Sequence, residues 1–189
     1  MSQSIVLYDA CVLYPAPLRS FLMHLAMTGL YKTRWSNDIH EEWMRNVQKD
    51  YPDISRNQVE KVRDLMNAHV EECLVTGYES LTPGLSLPDP GDRHVLAAAI
   101  HCGADMILTF NLKDFPDETL KPHGLKAVHP DDFLIQQMDF ARDAVCRAAK
   151  QQRASLKNPP LSVEDYLEAL ERQGLRRAVA RLRESSNFI

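Results

Sequence analysis

The chain has 189 residues, 44% hydrophobic and 25% charged, which suits one compact domain with a small appendage and an ordinary soluble surface. No apolar run approaches the ~20 residues that a membrane helix needs, and the start at Met1-Ser2-Gln3-Ser4 has neither a basic region nor a signal-like stretch, so the expectation is a cytoplasmic protein with no membrane span. The formal net charge of −4 is unevenly spread: residues 1–138 hold 12 basic and 19 acidic side chains and residues 139–189 hold 10 and 7, an acidic body with a basic tail that does not fit a general nucleic-acid binder.

Ile5-Val6-Leu7-Tyr8 is a short apolar run ending at Asp9, the profile of a buried parallel strand. Pro15 and Pro17 open a helix that carries Leu18, Phe21, Leu22, Leu25 and Ala26 at helical spacing and stops at Gly29. Residues 31–35 read as a short strand. Ser36 or Asn37 caps a second helix that runs to Tyr51, before Pro52. A third begins at Ser55, where Ser55-x-x-Gln58 forms a capping box, and continues towards Gly77. Residues 81–91, with Pro83, Gly84, Pro88, Pro90 and Gly91, are loop.

Residues 92–102 are helical and Gly103 stops them. A strand over 105–109 leads into the polar loop 111–114, and 125–128 reads as the last strand. Strands alternating with helices imply an α/β fold, a parallel sheet covered on both faces. After Pro130 the chain changes character. One long helical stretch covers 131–156, Asn158-Pro159-Pro160 breaks it, Ser162-x-x-Asp165 opens another helix, and 175–184 is basic and amphipathic.

Ligands of open parallel sheets bind just beyond the carboxyl ends of the strands, where Asp9 and the loop 111–114 fall. A strand-end aspartate also serves simply as a turn former, so Asp9 alone decides little. Asp92 says more. On a helical wheel it aligns with Leu96 and Ala99, the apolar face of its own helix. The helix dipole offsets roughly 0.3–1 kcal/mol of that placement, against a desolvation cost of several kcal/mol. A carboxylate so placed needs a partner, and Asp89 is available to take over the capping duty. In the second helix Ile39, Trp43 and Val47 form the buried stripe; Glu42 borders it and Glu41 lies nearly opposite, in solvent. By itself Glu42 reads as a surface acid.

Taken together the acids mean something different. Carboxylates converging on one site raise each other's pKa unless a cation neutralises them, and no Lys or Arg accompanies every one of these motifs. Oxygen-only ligands favour a hard ion, Mg²⁺ or Mn²⁺, which lowers the pKa of bound water and steadies charge on a phosphate. Cys11, Cys73, Cys102 and Cys146 are too scattered for a disulfide frame or a zinc site and read as small buried residues. His94 and His101 fall on the polar side of the Asp92 helix, away from the site. His40-Glu41-Glu42 does not extend to His-Glu-x-x-His because Met44 follows, and there is no Walker loop.

In this order, Val6-Leu7-Tyr8-Asp9-Ala10-Cys11-Val12-Leu13, Ile39-His40-Glu41-Glu42-Trp43 and Asp89-Pro90-Gly91-Asp92-Arg93-His94-Val95-Leu96-Ala97-Ala98-Ala99, continuing through Gly103-Ala104-Asp105-Met106-Ile107-Leu108-Thr109-Phe110-Asn111-Leu112-Lys113-Asp114-Phe115, resemble the PIN-domain nucleases, most closely the VapC-like toxins of bacterial toxin–antitoxin pairs. The resemblance covers about residues 4 to 135. It implies a PIN-like three-layer fold with a central parallel sheet over residues 1–135 and a helical C-terminal extension over 136–189. It also implies a Mg²⁺- or Mn²⁺-dependent endoribonuclease that uses a metal-activated water and leaves a 5′-phosphate and a 3′-hydroxyl. Asp9, Glu42 and Asp92 match the family's first three acids. Where many members have the fourth, this chain has Asn111, and Asp114 supplies the charge. Asp9, Asp92 and Asp114 are then the metal ligands, with Thr109 and Asn111 positioning a ligand or substrate.

Cys11 replaces a polar residue common two places after the first acid, which leaves the orientation of Asp9 to another group. RNA, structured RNA such as tRNA included, is the implied substrate and a cognate antitoxin the implied regulator; a homodimer is compatible with the family, with no interface indicated. Two other readings stand beside this one. A PIN-like module that engages RNA or a partner while cutting weakly or not at all is kept open by Asn111 and Cys11. An Asp-based phosphatase wants Asp-x-Asp after the first strand, and Cys11 occupies its second position. In the tail, Arg172, Arg176, Arg177, Arg181 and Arg183 either grip RNA or form the solvated face of a helix that packs through Leu170, Leu175, Val179 and Leu182; the second reading is slightly ahead.

Overall fold

Five strands, β1 (Ile5–Tyr8), β2 (Lys32–Ser36), β3 (Leu74–Val75), β4 (Met106–Leu108) and β5 (Lys126–Val128), pair in the order β3-β2-β1-β4-β5, every pairing parallel. They belong to a computed structural model that describes residues 3–189. Val6, Leu7, Tyr8, Ile107 and Leu108 are fully buried, as expected of central parallel strands covered on both faces. The chain starts in the middle of the sheet at β1, moves outward through β2 and β3, and restarts at β4 on the other side of β1. That reversal opens a crevice at the carboxyl ends of β1 and β4.

The helices α1 (Ala10–Leu13), α3 (Asn37–Asp50), α4 (Arg56–His69), α5 (Arg93–His101) and α6 (Asp117–Leu120) share a compact unit with this sheet, which takes in the chain up to Tyr14 together with Tyr31–His129. Ser36 caps α3 and the Ser55–Gln58 capping box opens α4. Where α4 was expected to continue towards Gly77, it ends at His69; Glu72 takes a positive φ of 53° and two residues form the edge strand β3. A strand that short has no periodicity to read. Residues expected as plain loop wind partly into 3-10 turns, Glu79–Gly84 and Pro90–Asp92.

A buried polar cluster sets the rotation of α3. The Trp35 indole donates to Asn67 Oδ1 at 2.7 Å, and His40 Nε2 lies 3.0 Å from the same oxygen. The Trp43 indole donates to His40 Nδ1 at 3.0 Å, so the ring proton is on Nε2. His40 is fully buried and burial pushes its pKa down to about 4. With Trp43 and His40 held inward, Glu42 comes to the edge of the buried stripe.

The second compact unit combines residues 15–30 with Pro130–Ile189. Its helices are α2 (Ala16–Ala26), α7 (Pro130–Ser155), α8 (Val163–Glu171) and α9 (Arg176–Arg183). Although α2 comes early in the chain, it packs against α7 and α8. Leu18, Phe21, Leu22 and Leu25 of α2 are fully buried, as are Val145, Leu167, Leu170 and Leu175. Gln152 ties the layers: its amide donates to Pro17 O at 2.9 Å and its oxygen accepts from the Tyr166 hydroxyl at 2.8 Å. The long helix α7 is interrupted at Ala141, whose φ and ψ of −152° and 64° are non-helical.

Because Leu175 offers no capping side chain to α9, the Asp131 carboxylate caps it instead, accepting from Arg177 N at 3.1 Å and Ala178 N at 2.8 Å. Arg177 pairs with Asp132, Arg181 with Asp139 at 2.5 Å, and Arg183 with Glu164 at 2.7 Å and Glu171 at 2.8 Å. Leu170, Leu175, Val179 and Leu182 are buried. The geometry therefore favours the packing reading of the tail over the RNA-gripping one. Among the described residues no helix is long and apolar enough to cross a membrane.

Candidate active site

Asp9 follows β1 directly and is only 3% exposed. Parallel pairing continues one step past the strands, Asp9 N donating to Leu108 O and Thr109 N to Val128 O, each at 3.1 Å. Both backbones are thereby fixed at the crevice. Asp9 Oδ1 accepts from Ala10 N at 2.7 Å, which caps α1. Asp9 Oδ2 accepts from the fully buried Thr109 hydroxyl at 2.7 Å and from the Cys11 thiol at 3.0 Å. Cys11 Sγ in turn accepts from Phe110 N at 3.3 Å, and Thr109 Oγ1 accepts from Asn111 N at 3.0 Å.

The group that orients Asp9 is thus Thr109, helped by Cys11 itself. Burial, reinforced by the Asp9 charge, drives the Cys11 thiol far up, so it serves as an S–H donor and not as a nucleophile. Burial likewise raises the Asp9 pKa; the hydrogen bonds from Cys11 and Thr109 oppose it, and the Glu42 charge adds to it.

Asp92 ends the 3-10 turn Pro90–Asp92 and sits at the head of α5 with no capping hydrogen bond of its own. The capping role falls to Asp89, which accepts from Gly91 N at 2.7 Å. The Asp92 carboxyl is pushed up to about 7, first by burial and then by the charges of Asp9, Asp89, Glu42 and Asp114. Four acids from three loops and one helix therefore act on one carboxyl. Asp114 ends a short turn after β4 and contributes to that field. Asn111 is exposed and lines a second depression of ≈ 320 Å³ with Cys11, Tyr14, Glu42, Asn46 and Asp50.

Glu42 borders both depressions. The other, a cleft of ≈ 450 Å³, is lined by Asp38, Glu41, Glu42, Arg45, Asp89, Gly91, Asp92 and His94. The placement of His94 away from the site needs correction. Its Nε2 lies 3.3 Å from Glu42 Oε2, and its Nδ1 is buried without a hydrogen-bond partner among the described residues. The helical wheel misled because Asp92 belongs to the 3-10 turn and α5 starts at Arg93, so the phase counted from Asp92 does not carry into the first turn of α5. Burial acts to lower the His94 pKa, but the Glu42 hydrogen bond and the charges of Glu42, Asp38 and Asp9 outweigh it and the pKa rises.

Asp38 was also missed, although its i, i+4 spacing to Glu42 puts both on one face of α3. Its carboxylate accepts from the Tyr78 hydroxyl at 2.7 Å. Glu41 is tied to Arg56 at 2.5 Å, on the solvent side as expected. The four cysteines are free thiols. Among the described residues no three His, Cys, Asp or Glu side chains already sit within ligating reach of one point. The donor chemistry nevertheless suits a hard divalent ion. The carboxyl groups of Asp9, Asp92 and Asp114 would supply oxygen, and a bound cation would relieve the repulsion that adds to burial in raising the Asp92 pKa.

A parallel α/β sheet with acids gathered at its central carboxyl ends is the arrangement expected of a PIN domain, and the chain belongs to the PIN domain family, whose profile matches residues 5–113. A profile described as the VapC50 C-terminal domain matches residues 130–184. Over 82 residues the chain is 45% identical to the protein named "Putative ribonuclease VapC50" from Mycobacterium tuberculosis (strain ATCC 25618 / H37Rv), an alignment taking in 43% of this chain and 48% of that protein. The chain thus spans about half the length of the curated relative it matches. No solved structure matches it.

Proposed function

We propose that this chain is a Mg²⁺- or Mn²⁺-dependent endoribonuclease of the VapC-like toxin type, acting in the cytoplasm on RNA, tRNA included, and restrained by a cognate antitoxin. The observation that carries the reading is the gathering of Asp38, Glu42, Asp89 and Asp92 around one cleft at the strand ends, where burial and the charges of Asp9, Asp89, Glu42 and Asp114 push the Asp92 carboxyl up to about 7. A site that concentrates negative charge this far is stabilised by a cation and discourages a polyanion until one is bound. The accompanying division is a nuclease domain over 1–135 and a helical extension over 136–189, with α2 packed among the helices of the second unit. The relative named as a ribonuclease supports the substrate class.

Asp9, Asp92 and Asp114 would hold the ion. Bound there, it supplies Lewis acidity toward a phosphate and a lowered pKa for water. The remaining work belongs to the chain. Thr109 and Cys11 hold Asp9 Oδ2 in one orientation, so Asp9 reaches the site with little freedom left to lose. Asp92, whose carboxyl burial and its acidic neighbours push up to about 7, would be held ionised by the ion's charge. His94 Nε2 holds Glu42 Oε2, which keeps that carboxylate turned into the cleft, ready to take a proton from the attacking side. Asn111 offers a neutral oxygen beside the site and leaves the charge to Asp114.

The test compares wild type with Asp92→Asn on total RNA in Mg²⁺, Mn²⁺ and EDTA. Cleavage that requires the ion and disappears in the variant supports the assignment. Equal cutting by both proteins means a contaminating nuclease and a wrong site. A second reading, a PIN-like module that binds RNA or a partner and cuts weakly, draws on Asn111 in place of an acid and on Cys11 in place of a polar residue. It gains if neither protein cuts but both hold RNA.

A further inference from the structure

Within the acid-lined cleft, α3 also presents a cation whose charge is unspent. Arg45 is exposed, lines the cleft, and makes no ion pair among the described residues. Helix geometry offers it two: Glu41 four residues earlier, the favoured order for an intrahelical glutamate–arginine pair, and Glu42 three residues earlier, which pairs with His94 instead. Glu41 is taken by another residue. Its Oε1 accepts from Arg56 of α4 at 2.5 Å, and Arg56 is itself steadied by Glu60 at 2.8 Å. The other basic group lining the cleft, His94, is occupied by Glu42.

A strand of RNA entering this cleft passes Asp38, Glu41, Glu42 and Asp89, whose carboxylates repel its phosphates. A divalent ion at the acids can serve the scissile phosphate but not its neighbours. A guanidinium can meet the two oxygens of one phosphate through a pair of parallel N–H donors. We propose that Arg45 grips a backbone phosphate flanking the scissile one, and that the Arg56–Glu41 pair keeps it available by denying it its own helix partner. The inference rests on the nuclease reading and deepens it by assigning a substrate-binding residue and the device that frees it.

The experiment measures binding of a short fluorescein-labelled single-stranded RNA by fluorescence anisotropy across a salt series, with Ca²⁺ in place of Mg²⁺. Arg45→Ala is expected to weaken binding about tenfold at low salt, and to flatten the log–log salt dependence by about 0.7, the value of one lost phosphate contact on a single strand. Arg45→Lys recovers the salt slope and part of the affinity. Arg56→Ala weakens binding although Arg45 is intact, because Glu41 then captures it, and adding Glu41→Gln to that variant restores the affinity.

Equal binding by wild type and Arg45→Ala overturns the assignment while leaving the nuclease reading in place. If Arg56→Ala/Glu41→Gln stays as weak as Arg56→Ala, Arg56 touches RNA itself and the release device is wrong. Wild type that binds no RNA brings down the RNA reading and this inference together.

Discussion

Acids at the carboxyl ends of β1 and β4 face other acids, whereas the acids of α7 and α8 face arginines. In the cleft, burial first and then the charges of Asp9, Asp89, Glu42 and Asp114 push the Asp92 carboxyl up to about 7. In the helical unit, Asp132, Asp139, Glu164 and Glu171 meet Arg177, Arg181 and Arg183, and Asp131 meets the amides that open α9. Both regions are charged, yet one is left in electrostatic tension and the other is neutralised within itself. Unrelieved repulsion at a buried position costs stability, and its persistence points to a ligand that relieves it. Ion pairs on a helix surface point only to a solvated, orienting face.

In the cleft, the largest effect of changing a residue other than an acid is expected from a neutral neighbour of the acids. Thr109→Val removes the shorter of the two side-chain bonds to Asp9 Oδ2 while conserving shape. Loss of such an orienting partner costs about 10–100-fold in metal affinity or activity. Calorimetric titration with Mn²⁺, beside RNA cleavage, reads it; an unchanged Mn²⁺ affinity would mean that Asp9 needs no holding. In the helical unit the comparable loss comes from packing. Leu182→Ala, at a position 1% exposed, should cost about 2–5 kcal/mol in chemical denaturation.

Next comes Asp92→Asn, tested for stability in EDTA. Between about pH 4 and pH 7 the folded chain keeps a proton that the unfolded chain has released, so stability declines as pH rises through that window. The variant should therefore be more stable than wild type at pH 8, on the order of 1–2 kcal/mol after allowance for solvent screening, and the gain should vanish towards pH 4. A variant no more stable than wild type at pH 8 would remove the tension from the cleft. The smallest effect is expected from Arg181→Gln, which breaks one surface pair with Asp139 and should shift stability by at most about 1 kcal/mol. A much larger loss there would mean that the helical unit depends on its charges as much as on its core.

Much of this could be read along the chain. Asp9 stood out by ending an apolar strand run; Asp92 was picked out by a helical wheel that does not apply to it, since it belongs to the 3-10 turn ahead of α5. Asp114 and Asn111 needed the family pattern, since a polar loop after a strand has no periodicity. The caps at Ser36, Ser55 and Ser162 were visible because a capping side chain bonds to amides only two or three residues away. His94 was assigned to the wrong place because a single 3-10 turn shifted the angular count, and Asp38 and Arg45 of α3 drew no reading from the sequence.

The sequence by itself determined the α/β class, the breaks between elements other than the end of α4 and the edge strand β3, most of the buried stripes and the main candidate acids, because each depends on residues within one or two turns of each other. Only the tertiary structure decided which charges meet. Thr109 reaches Asp9 across 100 positions, α2 joins helices that begin more than 100 residues later, and Glu41 turns to Arg56 rather than to the Arg45 of its own helix. Strand crossovers set those encounters, and local propensity carries no record of them. Whether a carboxylate is relieved or repelled depends on such encounters, since electrostatic energy follows separation and burial in space rather than position along the chain.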